Sequence, residues 1–362
     1  MFTEADRKHM GRALELAGRG LYTTTPNPRV GCVLVRDAEV VGEGWHERAG
    51  EAHAEVMALE AAGSRASGAT AYVTLEPCAH HGRTPPCSDA LIRAGVRTVV
   101  AALRDPNPLV AGKGLDALRA SGIETRCGLL EDEARTLNIG FVSRMTRGRP
   151  WLRMKIAASL DGRTALANGR SQWITGPEAR RDGHHWRARA CAVLTGIGTV
   201  KDDDPQLTVR EIDTPRQPLR VVVDSRLETP TSARVLGPGT LIAAACEDRA
   251  RIAGLQARGA EVIVLPNASG KVDLAALVAD LARRGMNEVH IEAGHKLNGS
   301  LLQENLVDEL LLYLAPNILG DTARGMFHLP ELTDLSGRRE LELRDVRPVG
   351  GDIRVLARLK EA

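Results

Sequence analysis

Aromatic residues are scarce: Phe, Trp and Tyr together make up 3% of the 362 residues. An excess of one charge is missing as well. The 48 Lys and Arg are offset by 46 Asp and Glu, leaving a net charge of +2, and like charges never run beyond a few residues. A surface for polymeric DNA or RNA needs a basic stripe with aromatics on which bases stack, so no nucleic-acid partner is expected. No stretch nears the roughly 18 uncharged apolar residues of a membrane span, so no membrane partner is expected either. Met1 to Gly20 is charged and amphipathic, unlike a signal peptide. Six cysteines (Cys32, Cys78, Cys87, Cys127, Cys191, Cys246) are too dispersed for a disulfide framework. Most read as small core residues on strands, and the expected compartment is a reducing cytoplasm.

What is present is enough apolar sequence, 43%, to fill two α/β domains in a chain of this length. Thr3 is placed to cap a first helix, with Asp6 in its first turn, Met10, Ala13, Leu14 and Ala17 on one face, and Gly18 and Gly20 at its end. Strands at 30–35, 39–44, 70–75 and 98–102 alternate with helices near 55–62 and 88–94, and elements at 114–120 and 123–127 extend the series. Thr146-Arg147-Gly148-Arg149-Pro150 reads as a polar break, giving domains of 1–146 and 150–362. The second domain repeats the alternation, with seven strand-like runs between 151 and 315. Its helices fall at 178–189, 249–258, 273–284 and 296–304. The first of these has Thr175 as expected cap and Pro177 in its first turn. Two strands around Gly350-Gly351 close the chain.

The strongest chemical signal is His53-Ala54-Glu55 followed by Pro77-Cys78 and Cys87. One imidazole and two thiolates suit Zn²⁺, and three protein ligands leave a fourth tetrahedral position for water. Zinc lowers the pKa of such a water from 15.7 toward roughly 7, which makes hydroxide available at neutral pH. Each ligand segment is expected to precede a helix, whose N-terminus favours thiolate over thiol. Glu55, two residues from His53, can reach that water without binding the metal, which is the arrangement of zinc deaminases of bases and nucleosides. The usual spacing puts two residues between the cysteines; here there are eight, Ala79-His80-His81-Gly82-Arg83-Thr84-Pro85-Pro86, polar and turn-rich as a substrate-facing loop would be. Two blander readings stand beside this one. His53 could be a surface histidine with both cysteines in the core, or the zinc site could be structural, closed by His80 or His81. Asn27, between two prolines, and His46 lie on loops that would close around a base, or simply make turns. Asp105-Pro106-Asn107-Pro108 allows the same two readings.

Asn27, His53-Ala54-Glu55 and the long Cys78-to-Cys87 segment with its Gly-Arg-Thr-Pro-Pro closely resemble the bifunctional riboflavin-biosynthesis deaminase-reductase family. The blocks 155–165, 171–175, 199–210 and 292–302 extend the resemblance over essentially the whole chain. It implies a cytidine-deaminase-like three-layer α/β domain with Zn²⁺ held by His53, Cys78 and Cys87, with Glu55 catalytic and Asn27 on the substrate. It implies next a dihydrofolate-reductase-like domain that uses NADPH. The implied NADPH positions are Ala157, Trp173, Thr199, Asp203 and Ser225, together with the loop Gly294, His295, Lys296, Leu297, Asn298, Gly299 and Ser300. The implied substrate positions are Ser171, Arg187, Leu207, Arg210 and Glu292. Arg187 and Arg210 offer forked, permanently charged donors for a substrate phosphate, and the segment before the 296–304 helix can offer backbone N–H groups to a pyrophosphate. Lys155, Asp203 and Glu292 are unranked candidates for the proton donor that opens the sugar. Surface ion pairs and turn roles are the plain alternatives for these residues. The implied substrate is a phosphoribosylated aminopyrimidine, and the implied assembly is a homo-oligomer through the reductase domain. Two rivals remain at this point: a nucleic-acid deaminase with an accessory domain, and a non-catalytic zinc module on a reductase.

Overall fold

Thr3 does start the first helix, α1 (Glu4–Arg19). Its hydroxyl accepts from the Asp6 N–H while the Asp6 carboxylate accepts from the Thr3 N–H, a reciprocal cap. The structure, a computed structural model, describes residues 1–79, 85–108 and 110–360. The chain divides into two units, Met1–Gly148 and Arg149–Ala362.

In the first unit β1 (Gly31–Arg36), β2 (Glu39–Trp45), β3 (Thr70–Val73), β4 (Thr98–Ala101) and β5 (Glu124–Cys127) form one sheet in the order β2-β1-β3-β4-β5. Pairing is antiparallel around β1 and parallel from β3 to β5. Alternation along β1 divides the core. Cys32 and Leu34 face α2 (Ala54–Ala62), α3 (Cys87–Arg93) and α4 (Lys113–Ala120), whereas Val33 and Val35 face α1, α5 (Glu131–Leu137) and α6 (Ile139–Arg147). Helices on both faces make three layers. Sequence reasoning did not foresee α5 and α6. Thr146 and Arg147 form the last turn of α6 rather than a break, and Gly148 ends that helix in the left-handed region. Cys32 is a core residue as expected; Cys127, at the end of edge strand β5, is exposed instead.

The second unit is built on a nine-stranded sheet. Its strands are β6 (Trp151–Ser159), β8 (Ala192–Gly196), β9 (Leu219–Val223), β10 (Thr240–Ala244), β11 (Ala260–Val264), β12 (Glu288–Ile291), β13 (Glu309–Ala315), β15 (Leu341–Val349) and β16 (Asp352–Leu359). The order is β11-β10-β9-β8-β12-β6-β13-β16-β15, parallel except for the last two strands. A separate ladder joins β7 (Arg163–Ala165) to β14 (Arg324–Gly325). One face buries Leu152, Met154, Leu194 and Val289 beneath α10 (Leu274–Arg283) and α11 (His295–Gln303). The other buries Val193, Val222 and Ile242 with α8 (Ile197–Asp203) and α9 (Arg249–Gln256), and Ala179 of α7 (Pro177–Arg189) packs with Tyr313. Two expectations need correcting here. The residue before α7 is Gly176, which offers no side-chain cap, and Thr175 is buried one position earlier. The expected cofactor loop at 294–300 is helical from His295, so Asn298 and Ser300 spend their backbone N–H groups inside α11, and only the first turn keeps free backbone N–H groups to offer a ligand. Among the described residues no helix is long and apolar enough to cross a membrane.

Candidate functional site

The first site stands where β2, α2 and the segment after β3 meet. Gly44 allows the approach, because a Cβ there would lie 2.4 Å from the Ala54 carbonyl oxygen. With α2 seated this close, His53 becomes its N-cap residue and Glu55 falls in its first turn. Cys87 is the first residue of α3. Cys78, expected to precede a helix of its own, lies instead in the loop after β3, yet it still receives a helix N-terminal donor: Cys87 N–H points to Cys78 Sγ at 3.4 Å.

His53 Nδ1 lies 3.1 Å from Cys87 Sγ and 3.7 Å from Cys78 Sγ, and the three ligand atoms all fall within 4.8 Å of one another. Bonds of about 2.3 Å to sulfur and 2.0–2.1 Å to nitrogen around one zinc ion fit such a triangle. Among the described residues no other His, Cys, Asp or Glu joins the group. His80 and His81, with Gly82, Arg83 and Thr84 of the same loop, lie outside the described residues. The thiol of Cys87 hydrogen-bonds to Cys78 and pulls its pKa down to about 4, against the effect of burial, while Cys87 itself is driven upward. The pair therefore holds one ready thiolate and one thiol that a cation would ionise. Glu55 is 3% exposed, and burial together with the Cys78 charge pushes its carboxyl up to about 7.

Asn27 and His46 are brought to this centre. The Ala52 carbonyl, 3.0 Å from His46 Nδ1, can only accept, so Nε2 is left to accept from the Asn27 amide at 3.1 Å. The His46 and His53 rings meet edge to face at 5.4 Å. Asp105 and Asn107 form an Asx turn, with Asn107 N–H bonded to Asp105 Oδ1 at 2.8 Å.

Glu76, not singled out from the sequence, organises the loops around Cys78. Its buried carboxylate accepts backbone N–H groups from Asp105 (3.1 Å), Gly112 (2.9 Å), Gly114 (3.0 Å) and Leu115 (3.2 Å). Gly114 sits so tightly on this segment that a Cβ would come within 1.8 Å of the Pro77 carbonyl oxygen. Glu76→Ala is expected to orphan four donors beside a ligand cysteine, costing about 3 kcal/mol or more and about 10- to 100-fold in zinc affinity. Chelator competition would refute this by returning wild-type affinity.

The second site lies in the second unit, beside the middle of β6 and just past the carboxyl end of β12. Arg187 and Glu292 are joined by a two-point ion pair. Arg187 Nε donates to Oε1 and Nη2 to Oε2 (2.9 Å), while Nη1 donates to Thr208 O (3.1 Å). Arg187 is thus committed to protein acceptors; burial favours the protonated form of Glu292, but the charge and hydrogen bonds of that guanidinium outweigh it and hold the carboxyl well below the usual carboxylate range. Lys155 Nζ stands 4.0 Å from Glu292 Oε2, and burial lowers its pKa. Arg210 bonds only neutral groups, Gln206 and Thr208, and no ion pair engages it among the described residues. Leu207 is buried with φ of 54°.

The other residues picked out beforehand gather partly. Ser171 Oγ and Gln172 Nε2 both reach Asp203 Oδ1 at 3.4 Å. Trp173 is 70% exposed, with the Arg180 guanidinium 4.6 Å above its ring. Thr199 Oγ1 approaches Gly294. Ser225 Oγ instead accepts from Val272 N–H (3.1 Å), and Asn298 is buried with its amide on Met326 O (3.3 Å).

Residues 3–103 match the cytidine and deoxycytidylate deaminase zinc-binding region, and residues 150–355 match the RibD C-terminal domain. The riboflavin biosynthesis protein RibD of Escherichia coli is 50% identical over 361 residues, covering 96% of this chain and 98% of that protein. The Haemophilus influenzae protein of the same name is 47% identical, with 98% and 97% covered. Among solved structures, Acinetobacter baumannii RibD aligns with a TM-score of 0.92 at 46% identity, covering 99% of both chains. A Thermotoga maritima diaminohydroxyphosphoribosylaminopyrimidine deaminase/5-amino-6-(5-phosphoribosylamino)uracil reductase aligns at 0.86 and 34%, covering 98% of this chain and 99% of that one. With a three-ligand zinc cluster in one unit, a lysine–glutamate–arginine centre in the other, and such relatives along nearly its full length, this chain belongs to the RibD family of bifunctional riboflavin-biosynthesis deaminase-reductases.

Proposed function

We propose that the first unit hydrolytically deaminates 2,5-diamino-6-(5-phosphoribosylamino)pyrimidin-4(3H)-one. The second unit then reduces the ribosyl side chain with NADPH to give 5-amino-6-(5-phosphoribitylamino)uracil. The observation that carries the first half is the His53, Cys78, Cys87 triangle with buried Glu55 beside it and no fourth ligand among the described residues. Zinc, when bound there, supplies the Lewis acidity that makes water a nucleophile at neutral pH. Glu55 takes the proton of the attacking water and returns it to the departing amine. Asn27, oriented by His46, hydrogen-bonds the substrate.

NADPH, when bound, supplies the hydride. Trp173, Thr199, Asp203, the N-cap Gly294 and the first turn of α11, from His295 to Leu297, hold it, together with Ala157 of β6. Ser225 and the helix-interior Asn298, Gly299 and Ser300 complete the set of cofactor positions. Lys155 protonates the sugar oxygen as the ring opens, and Glu292 orients it, with Ser171 and Leu207 lining the substrate. Because Arg187 is bound to Glu292, Arg210 is the cation left for the substrate phosphate. Arg210→Ala is expected to raise the substrate KM about 10- to 100-fold, the loss of a charged hydrogen bond, with the NADPH KM unchanged. A substrate KM equal to wild type would refute that role.

The chain assembles as a homo-oligomer through the reductase unit in the cytoplasm, without nucleic acid. Edge strand β15 supports this, since Leu341, Leu343 and Val346 are exposed along it. Sedimentation at the mass of one chain would overturn it. The whole reading is tested by supplying the phosphoribosylated diaminopyrimidinone and following ammonia and NADPH together. Chelation should stop ammonia release yet spare NADPH oxidation when deaminated substrate is given; loss of both would refute two independent sites.

A further inference from the structure

Beneath α7 the central strands of the reductase sheet carry polar side chains rather than apolar ones. Alternation along β12 puts Glu288 and His290 on one face with Glu292, one residue past the strand. Arg153 of β6 is in register with His290. Each charged group there is paired. Arg153 holds Glu288 (3.0 Å) and Glu309 (2.5 Å), Arg189 holds Glu288 (2.7 Å), and Arg187 holds Glu292.

His290 is the exception. Its side chain is wholly buried, Nδ1 has no hydrogen-bond partner among the described residues, and Nε2 makes no hydrogen bond of ordinary geometry, only a longer approach to one carboxylate. A buried polar group without a partner is costly and calls for a reason. The nearest candidate is Glu292 Oε1, 3.4 Å from Nε2. That placement decides the tautomer. A proton on Nδ1 would be a buried donor with no acceptor, and would aim the Nε2 lone pair at a carboxylate. A second proton would add a cation next to Arg187 and Arg153, which burial also opposes. The favourable state is neutral, with the proton on Nε2 facing Glu292.

We propose that His290 is a positioning residue of the reductase site: its Nε2–H steers Glu292 Oε1, so that the other oxygen stays aimed at Lys155. Arg187 grips both carboxylate oxygens from one side, and His290 restrains Oε1 from within the sheet. Glu292 then cannot rotate away from Lys155 when substrate enters. The proposal rests on the reading of Lys155 and Glu292 as reductase residues.

Two measurements on the full-length protein test it. Long-range ¹H–¹⁵N correlation should show one histidine in the Nε2–H tautomer, which H290Q removes and whose shifts move in E292Q; an Nδ1–H or doubly protonated ring overturns the proposal. In kinetics, H290L should lower the reductase kcat about 10- to 100-fold, the scale of one hydrogen bond to a charged group. The NADPH KM and ammonia release should be unchanged. H290Q, which restores a side-chain N–H, should recover most of the loss. Wild-type kcat in H290L, or no recovery in H290Q, overturns the proposal. E292Q separates the two layers. An inactive E292Q beside an unaffected H290L sinks the positioning role alone, whereas a fully active E292Q sinks the site reading and the proposal with it. Should H290L fail to fold, the tautomer in the unmutated protein still decides.

Discussion

Ammonia release is expected to fall about 100- to 10,000-fold in Glu55→Gln, the usual loss when a general acid–base group is removed, while zinc remains bound. The exchange keeps side-chain volume in a buried first turn, so α2 should stay in place and keep His53 at the site. What disappears is a carboxylate able to hold the proton between attack and departure of the amine. Burial and the Cys78 charge already favour the protonated form of Glu55, so this environment suits a group that must alternate between two states. Three readouts would be taken on one preparation: zinc content, ammonia from the diaminopyrimidinone, and NADPH oxidation with deaminated substrate. Loss of zinc would show that Glu55 is part of the metal's support, and undiminished ammonia release would remove it from the chemistry.

The reductase should respond as sharply to Lys155→Met, which keeps the aliphatic stem and deletes the proton donor. The drop in kcat is expected to be about 100-fold or more, with deamination intact. Direction of the pH effect follows from the charge. Lys155 works as an acid, so the rate falls as pH rises through its pKa, and burial sets that pKa below the free-lysine value of about 10.4. A pH–rate profile of reduction in wild type and Lys155→Met checks both points. An alkaline limb that survives the substitution would assign the proton to another group, with Asp203 the next to test.

Much of the zinc site was legible in the sequence because it is written locally. His53 and Glu55 are two residues apart, Pro77-Cys78 follows a strand, and Thr3 with Asp6 announces a cap by spacing alone. What escaped depends on distant neighbours. Nothing near Glu76 reveals that N–H groups 29 to 39 residues away converge on it. Likewise, only the pairing of strands brings Arg187 to Glu292 across 105 positions of sequence. Two helices, α5 and α6, were missed because they meet at Asn138. Its side chain turns away to bond both the N–H and the carbonyl of Arg29, and this joint interrupts the apolar periodicity. The helix in the segment carried over for the cofactor begins at His295, one residue before the start read from the sequence, because resemblance carries over residue numbers but not helix phase.

Each apolar core described above draws its members from one side of Gly148 only. A mutation that loosens one catalyst therefore need not lower the melting temperature of the other. Separate cores also predict that the halves can be encoded as separate genes divided at that codon. Co-production of the two fragments is expected to complement a riboflavin auxotroph as well as the fused chain in the same assay.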